Sequence, residues 1–302
     1  EQKVFSITPD GKRHPPVKVQ DRTINEEQAM YSNAMVRILS MPEVGVGTII
    51  DIDYTLFSKA LPMRNAFWEI ENIRQPVPVK EYRYTITFPK KLGIQYREFG
   101  LTRKPEIIEK NGWVTYHWEF NDLYDARQDE EYVPPPSPDD PMEAFEFSSV
   151  KSWDNFAQWY YGLIERNTVV TPEIEAAAEN VAGQYDLVRD KVRAILEYIQ
   201  DNYRYVSMSF GENAFEPHST KDIFANKYGD CKDLSLLARA MLSVVGVKAD
   251  IALFANEDAI NDPSFDLPIP VLFDHALLYV EDPLAGNFYA DPLLKGYDIG
   301  QY

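Results

Sequence analysis

A single cysteine in 302 residues excludes an intramolecular disulfide. Histidine is scarce as well, with four, and the chain holds neither a Cys-x-x-Cys pair nor a His-Glu-x-x-His run. The usual zinc arrangements are thereby excluded, and no metal or other cofactor is expected. No apolar run approaches the roughly 20 residues that span a bilayer. Cationic residues are in the minority: 30 Lys and Arg against 48 Asp and Glu leave a formal charge of −18. Such a field repels phosphate backbones and anionic lipid, and no local basic patch overrides it, so nucleic acid is not an expected partner. What is present is the composition of a globular protein, 45% hydrophobic and 26% charged, in a chain long enough for two domains.

Residues 1–130 read as β-structure. From Gly47 to Phe57 the apolar residues Ile50, Ile52, Tyr54 and Leu56 alternate with Asp51, Asp53 and Thr55, the pattern of a half-buried strand. Tyr82, Tyr84, Ile86 and Phe88 repeat the alternation up to Pro89. Asn111-Gly112 between Ile107-Ile108 and Trp113-Val114 is a strong hairpin signal. Short strands without intervening helices predict an antiparallel, sandwich-like region. His117 and the tryptophans beside it are read as packing, since aromatics favour strands.

The run from Asp129 to Pro141 is too rich in proline for a helix or a central strand, and residues 131–150 are expected to form an acidic linker. Beyond it the period changes to that of helices. Trp153, Phe156, Tyr160 and Leu163 mark one helix, Thr171-Pro172 the cap and first residue of a second, and Val188, Val192, Ile195 and Ile199 a third. Strands follow at Lys248–Phe254, His275–Val280 and Phe288–Asp291, so residues 151–302 are expected to form an α+β domain.

Within it, Cys231 opens a further amphipathic helix, with Leu234, Leu237, Ala238, Met241, Leu242 and Val245 on one face and Gly246 as its stop. Asp230 stands at the N-cap, so the thiol meets the positive end of the helix dipole. That field is worth roughly 0.3 to 1 kcal/mol, less than the 1.36 kcal/mol of one pKa unit, and a free thiol titrates near about 8.5. Asp230 and Asp233 oppose ionisation further, so an imidazolium is needed nearby. A hairpin closed by Glu281–Asn287 puts His275 directly opposite Asp291, on the same face of the sheet. The three residue types then form a nucleophile, a base and an orienting group. His218, which lacks a carboxylate at strand spacing, is read as loop structure.

At Tyr228-Gly229-Asp230-Cys231-Lys232-Asp233, Asp274-His275-Ala276 and Tyr289-Ala290-Asp291-Pro292 the chain resembles the transglutaminase-like superfamily. The segments Pro9–Lys12 and Met41–Ile50 are similar to an uncharacterised β-rich domain that precedes this papain-like core in secreted or periplasmic bacterial proteins. The resemblance implies a cysteine peptidase or amidase acting through a thioester on a peptide or side-chain amide. Cys231 is then the nucleophile, His275 the general acid/base and Asp291 the orienting carboxylate. Tyr205 is the expected side-chain oxyanion donor, with Tyr203 as the alternative. Two other outcomes stay open: cross-linking by a transglutaminase, in which a lysine amine replaces water, and a non-catalytic surface module on the same scaffold. The resemblance also implies a peptide or protein substrate and a periplasmic or extracellular location, and it leaves the partner of the β-rich region unknown. The chain starts at Glu1 rather than Met and ends 11 residues after Asp291, where such domains usually continue, so a piece of a longer protein is expected.

Overall fold

The structure, a computed structural model, describes residues 2–23, 35–58, 61–73, 77–101, 103–123, 143–207, 215–255 and 266–296. The proline-rich run lies outside them. The first part of the chain is built of strands β1 (Gln2–Ile7), β2 (Arg13–His14), β3 (Lys18–Thr23), β4 (Met35–Ser40), β5 (Ile49–Tyr54), β6 (Trp68–Asn72), β7 (Val79–Pro89), β8 (Gln95–Phe99), β9 (Glu106–Lys110), β10 (Trp113–Leu123) and β11 (Ala144–Ser148). Then come helices α1 (Trp153–Asn167), α2 (Pro172–Ala182) and α3 (Val188–Asn202), strand β12 (Arg204–Tyr205), helix α4 (Thr220–Asn226), strand β13 (Tyr228–Gly229) and helix α5 (Cys231–Val244). Strands β14 (Ala249–Phe254), β15 (His275–Val280) and β16 (Phe288–Ala290) complete an α+β fold.

The β9–β10 hairpin turns at Asn111 (φ 52°) and Gly112 (φ 80°), the two left-handed residues that a tight hairpin needs. Sheets β7-β10-β9 and β6-β11-β8 share an aromatic core. Trp118 of β10 stacks on Phe145 of β11 with ring centres 4.3 Å apart and planes 7° from parallel. His117 meets Thr85 across the strands, Nδ1 to Oγ1 at 2.7 Å, in keeping with a packing role.

Two expectations change here. Ala144–Ser148 is no linker: all five residues are buried, and β11 is the middle strand between β6 and β8. Phe145 and Phe147 outweigh the proximity of the prolines, because burying two phenyl rings is worth several kcal/mol. Strand β5 forms and pairs along its length with β1, yet Ile50 is 40% and Ile52 56% exposed. Alternation set the strand's two faces, but among the described residues no second layer covers the apolar one.

The two parts of the chain meet over a second core. Ala66 and Val150 join Phe156, Tyr160, Leu163 and Ile164 of α1 and Leu236 of α5, with Trp68 edge-on to Phe215. Polar ties cross the same boundary: the Ser148 hydroxyl donates to the Pro268 carbonyl, and Arg97 pairs with Asp266 at 3.0 Å. The third core gathers α2, α3 and α5 against Leu278 and Val280 of β15, the middle strand of its sheet. No helix among the described residues is long and apolar enough to cross a membrane.

Candidate active site

Cys231 is the first residue of α5, as its position after Asp230 implies. The cap is reciprocal: Asp230 Oδ1 accepts from the Asp233 N–H at 3.2 Å, and Asp233 Oδ2 from the Asp230 N–H at 3.3 Å. Gly229 permits this closeness, for a Cβ there would lie 2.6 Å from the Cβ of Asp233. Both carboxylates are fully buried, and Cys231 is 8% exposed. Burial, and then the charge of Asp233, raise the pKa of Asp230, while Lys232 opposes the shift. Lys232 is buried and donates to Asp230.

His275 opens β15, and its Nε2 lies 2.6 Å from Asp291 Oδ2. The register differs from the expected one. Leu278 pairs with Ala290 and Val280 with Phe288, so Asp291, just past the end of β16, falls opposite Leu277 rather than His275. The shift is two residues. A shift of one would have turned the side chains to opposite faces, whereas two leaves them on the same face as diagonal neighbours that an imidazole can bridge. Asp291 is held on both oxygens, since Oδ1 accepts from the Leu293 N–H at 2.8 Å.

The bond to Asp291, followed by one to the Cys231 sulfur, raises the pKa of His275 to about 10. With Nε2 committed to Asp291, Nδ1 is the nitrogen left for the thiol. The relative placement of helix and strand is fixed by Ser235, a residue the sequence did not single out, whose buried hydroxyl donates to the Ala276 carbonyl at 3.1 Å.

The two candidate tyrosines part company. Tyr205 lies beside Gly229 in the parallel β12–β13 bridge, half exposed. Partial burial, and next the charge of Cys231, raise its pKa. Tyr203 points into the helical core, where its ring packs near Tyr198 and Phe224 and its hydroxyl accepts from Lys227 Nζ at 2.8 Å. A third phenol, Tyr160 of α1, is buried with its hydroxyl unpaired among the described residues. Burial and then the charge of Cys231 raise its pKa.

His218 keeps the loop placement expected of it and has, in addition, a carboxylate partner. Its N–H donates to Asp233 Oδ1 at 2.8 Å and its Nδ1 is 3.1 Å from Oδ2. The carboxylate comes from the first turn of a helix, where a search at strand spacing does not look.

Two family models match the chain. Residues 2–126 match a domain of unknown function with a solved structure, DUF3857, and residues 175–264 match the transglutaminase-like superfamily. The second match includes Cys231 and stops short of His275 and Asp291. Among solved structures, a protein of Parabacteroides distasonis named as a candidate protease superposes with a TM-score of 0.73 at 14% identity, over 100% of this chain and 62% of its own. The chain thus spans less than two thirds of that protein, and the likeness is one of fold. A candidate cysteine protease from Cytophaga hutchinsonii matches at a TM-score of 0.33 and 15% identity over 76% of this chain and 71% of its own. The periplasmic domain of TgpA from Pseudomonas aeruginosa matches at 0.30 and 12% over 78% and 85%. Neither of these two bears on the fold. No curated protein matches the sequence.

Proposed function

We propose, for a chain that carries a transglutaminase-like domain behind a DUF3857 domain, a thiol acyl-transfer enzyme that hydrolyses a peptide or side-chain amide. The observation that carries the reading is the 2.6 Å contact between His275 Nε2 and Asp291 Oδ2, which leaves Nδ1 for the thiol at the helix N-terminus. Paired with Asp291 and the thiol, the ring holds its proton through neutral pH; the proposed reactive form sets that imidazolium beside the Cys231 thiolate.

The Cys231 sulfur then adds to the amide carbonyl carbon, and the carbonyl π electrons move onto oxygen. The Cys231 N–H, at the first helical position, and the Tyr205 hydroxyl are the proposed donors to that oxyanion. As the tetrahedral species collapses the C–N bond breaks, and His275 gives its proton to the departing nitrogen. Water, deprotonated by the now neutral ring, attacks the thioester; the C–S bond breaks, releasing a carboxylic acid and returning the proton to the thiolate–imidazolium pair. An amine in place of water would make the same site a cross-linking enzyme, and the acceptor depends on access to the thioester.

In this reading residues 151–302 form the catalytic domain, and the front region is a β-sandwich on the Trp118–Phe145 core that extends through β11. The resemblance of that region to secreted and periplasmic proteins carries the same location into the proposal. The test is activity-based labelling with a peptide library, comparing the natural chain with Cys231→Ser. Iodoacetamide should label Cys231 rapidly between about pH 6 and 7 and more slowly in His275→Ala; labelling that rises only around pH 8.5 in both would sink the reading.

A further inference from the structure

Three buried carboxylates belong to the helix turn that carries Cys231 or bond to His275, and each faces one basic side chain. Asp291 faces His275, Asp230 faces Lys232, and Asp233 faces His218. The second and third pairs take no part in the proposed reaction, and of these only the third has a basic side chain open to solvent. Asp233 is fully buried on the first turn of α5, and its oxygens take three donors: the His218 N–H, the His218 ring and the Asp230 N–H. Asp233 follows Cys231 by two residues in the same helical turn, and a buried carboxylate there, left without a counter-charge, disfavours a thiolate.

We infer that His218 is a positioning residue for the thiol: its charged ring neutralises Asp233, and its two hydrogen bonds lock the Asp230–Asp233 turn that presents Cys231. The inference rests on the thiol-enzyme reading. The groups that bear on His218 are Asp233, Asp230 and Lys232; the Asp233 bond outweighs burial and Lys232, so the ring keeps its proton to higher pH than a free histidine. Glu216, two residues away, is taken up by Arg166 and Asn167. The His218 side chain is 39% exposed, so it exchanges protons with solvent while its partner does not. The arrangement answers the difficulty posed by the sequence, in which two aspartates flank a cysteine that must ionise. Each aspartate brings its own cation.

The experiment follows iodoacetamide labelling of Cys231 against pH in the full chain. His218→Asn keeps an N–H donor near the position of Nδ1 and removes the charge. The expected result is a labelling midpoint higher by about one pH unit, hence about tenfold slower labelling at pH values well below the midpoint, with an unchanged circular dichroism spectrum. Adding Asp233→Asn removes the carboxylate that His218 served, and the midpoint should return toward that of the natural chain. This double variant is also the one to read should His218→Asn alone not fold. A midpoint unmoved by His218→Asn, or one that stays raised in the double variant, overturns the inference. An ordinary thiol profile in the natural chain, insensitive to His275→Ala, overturns instead the enzyme reading beneath it.

Discussion

Gly229 and Asp233 are in such close contact that a single added carbon on the glycine would lie 2.6 Å from the Cβ of the aspartate. The turn that ends in Cys231 is therefore built on the absence of a side chain. Gly229→Ala should push Asp233 off the cap and cost about 1 to 3 kcal/mol, the usual range for overpacking. Urea denaturation measures the loss. Gly45→Ala, where the added carbon meets nothing within 4 Å, is the control and should shift the midpoint very little.

Replacing Asp291 with Asn should leave the fold intact and remove the charge that holds the His275 proton. On the proposed mechanism kcat/KM falls by a factor on the order of 10² to 10⁴. The alkaline limit of kcat/KM should also move to lower pH, because the Asp291 bond is the largest of the effects that raise the His275 pKa. An amide variant with full activity would remove Asp291 from the mechanism.

The same shift makes a statement about stability. A histidine raised from 6.5 to about 10 binds its proton more tightly in the folded state than in the unfolded chain. Its contribution is therefore fully present below about pH 6.5 and is lost as pH rises through about 10. The stability difference between the natural chain and His275→Ala should accordingly shrink across that interval. Urea titrations at pH 6, 8 and 10 would show it; a difference that grows with pH would contradict the assigned pair.

Ser235 donates the hydrogen bond that ties α5 to β15 next to His275. Ser235→Ala leaves the Ala276 carbonyl without that donor and should cost about 1 kcal/mol of stability. The larger effect is expected on kcat, since a small displacement of helix against strand spoils the alignment of thiol and imidazole. Steady-state kinetics with unchanged KM would locate the defect in chemistry.

Phe145→Ala should cost about 3 to 5 kcal/mol, the range for emptying a phenyl site in a closed core. Because Phe145 stacks on the buried Trp118, the tryptophan emission of the variant should shift to the red.

Much of this was legible in the residues because the signals were local. The helical period after Cys231, the Asp230 cap and the Asn111-Gly112 turn depend on neighbours a few positions apart, and short-range geometry specifies them. The His275–Asp291 pairing was read with the right face and the wrong register, since alternation preserves parity but carries no information about a slip of two. What escaped was non-local. Ser235 bonds to a strand 41 positions away, and His218 meets Asp233 from a loop 15 positions earlier. The burial of Lys232 is non-local too, since it depends on what packs over the helix N-terminus. Strand β11 was taken for linker because five residues are too few to show a period beside a run of prolines.

Strand β11 has one more consequence, for the order in which the protein can be made. It is the last strand of its region in sequence and the middle one in its sheet. On a ribosome β6 and β8 emerge first and cannot pair with each other in the native arrangement; their facing edges stay open until Ser148 has left the exit tunnel. The front region therefore becomes whole only when synthesis is already moving into the helices of the second. The inner edges of β6 and β8 are meanwhile open to pairing with other chains, a hazard of timing that β11 removes when it arrives between them.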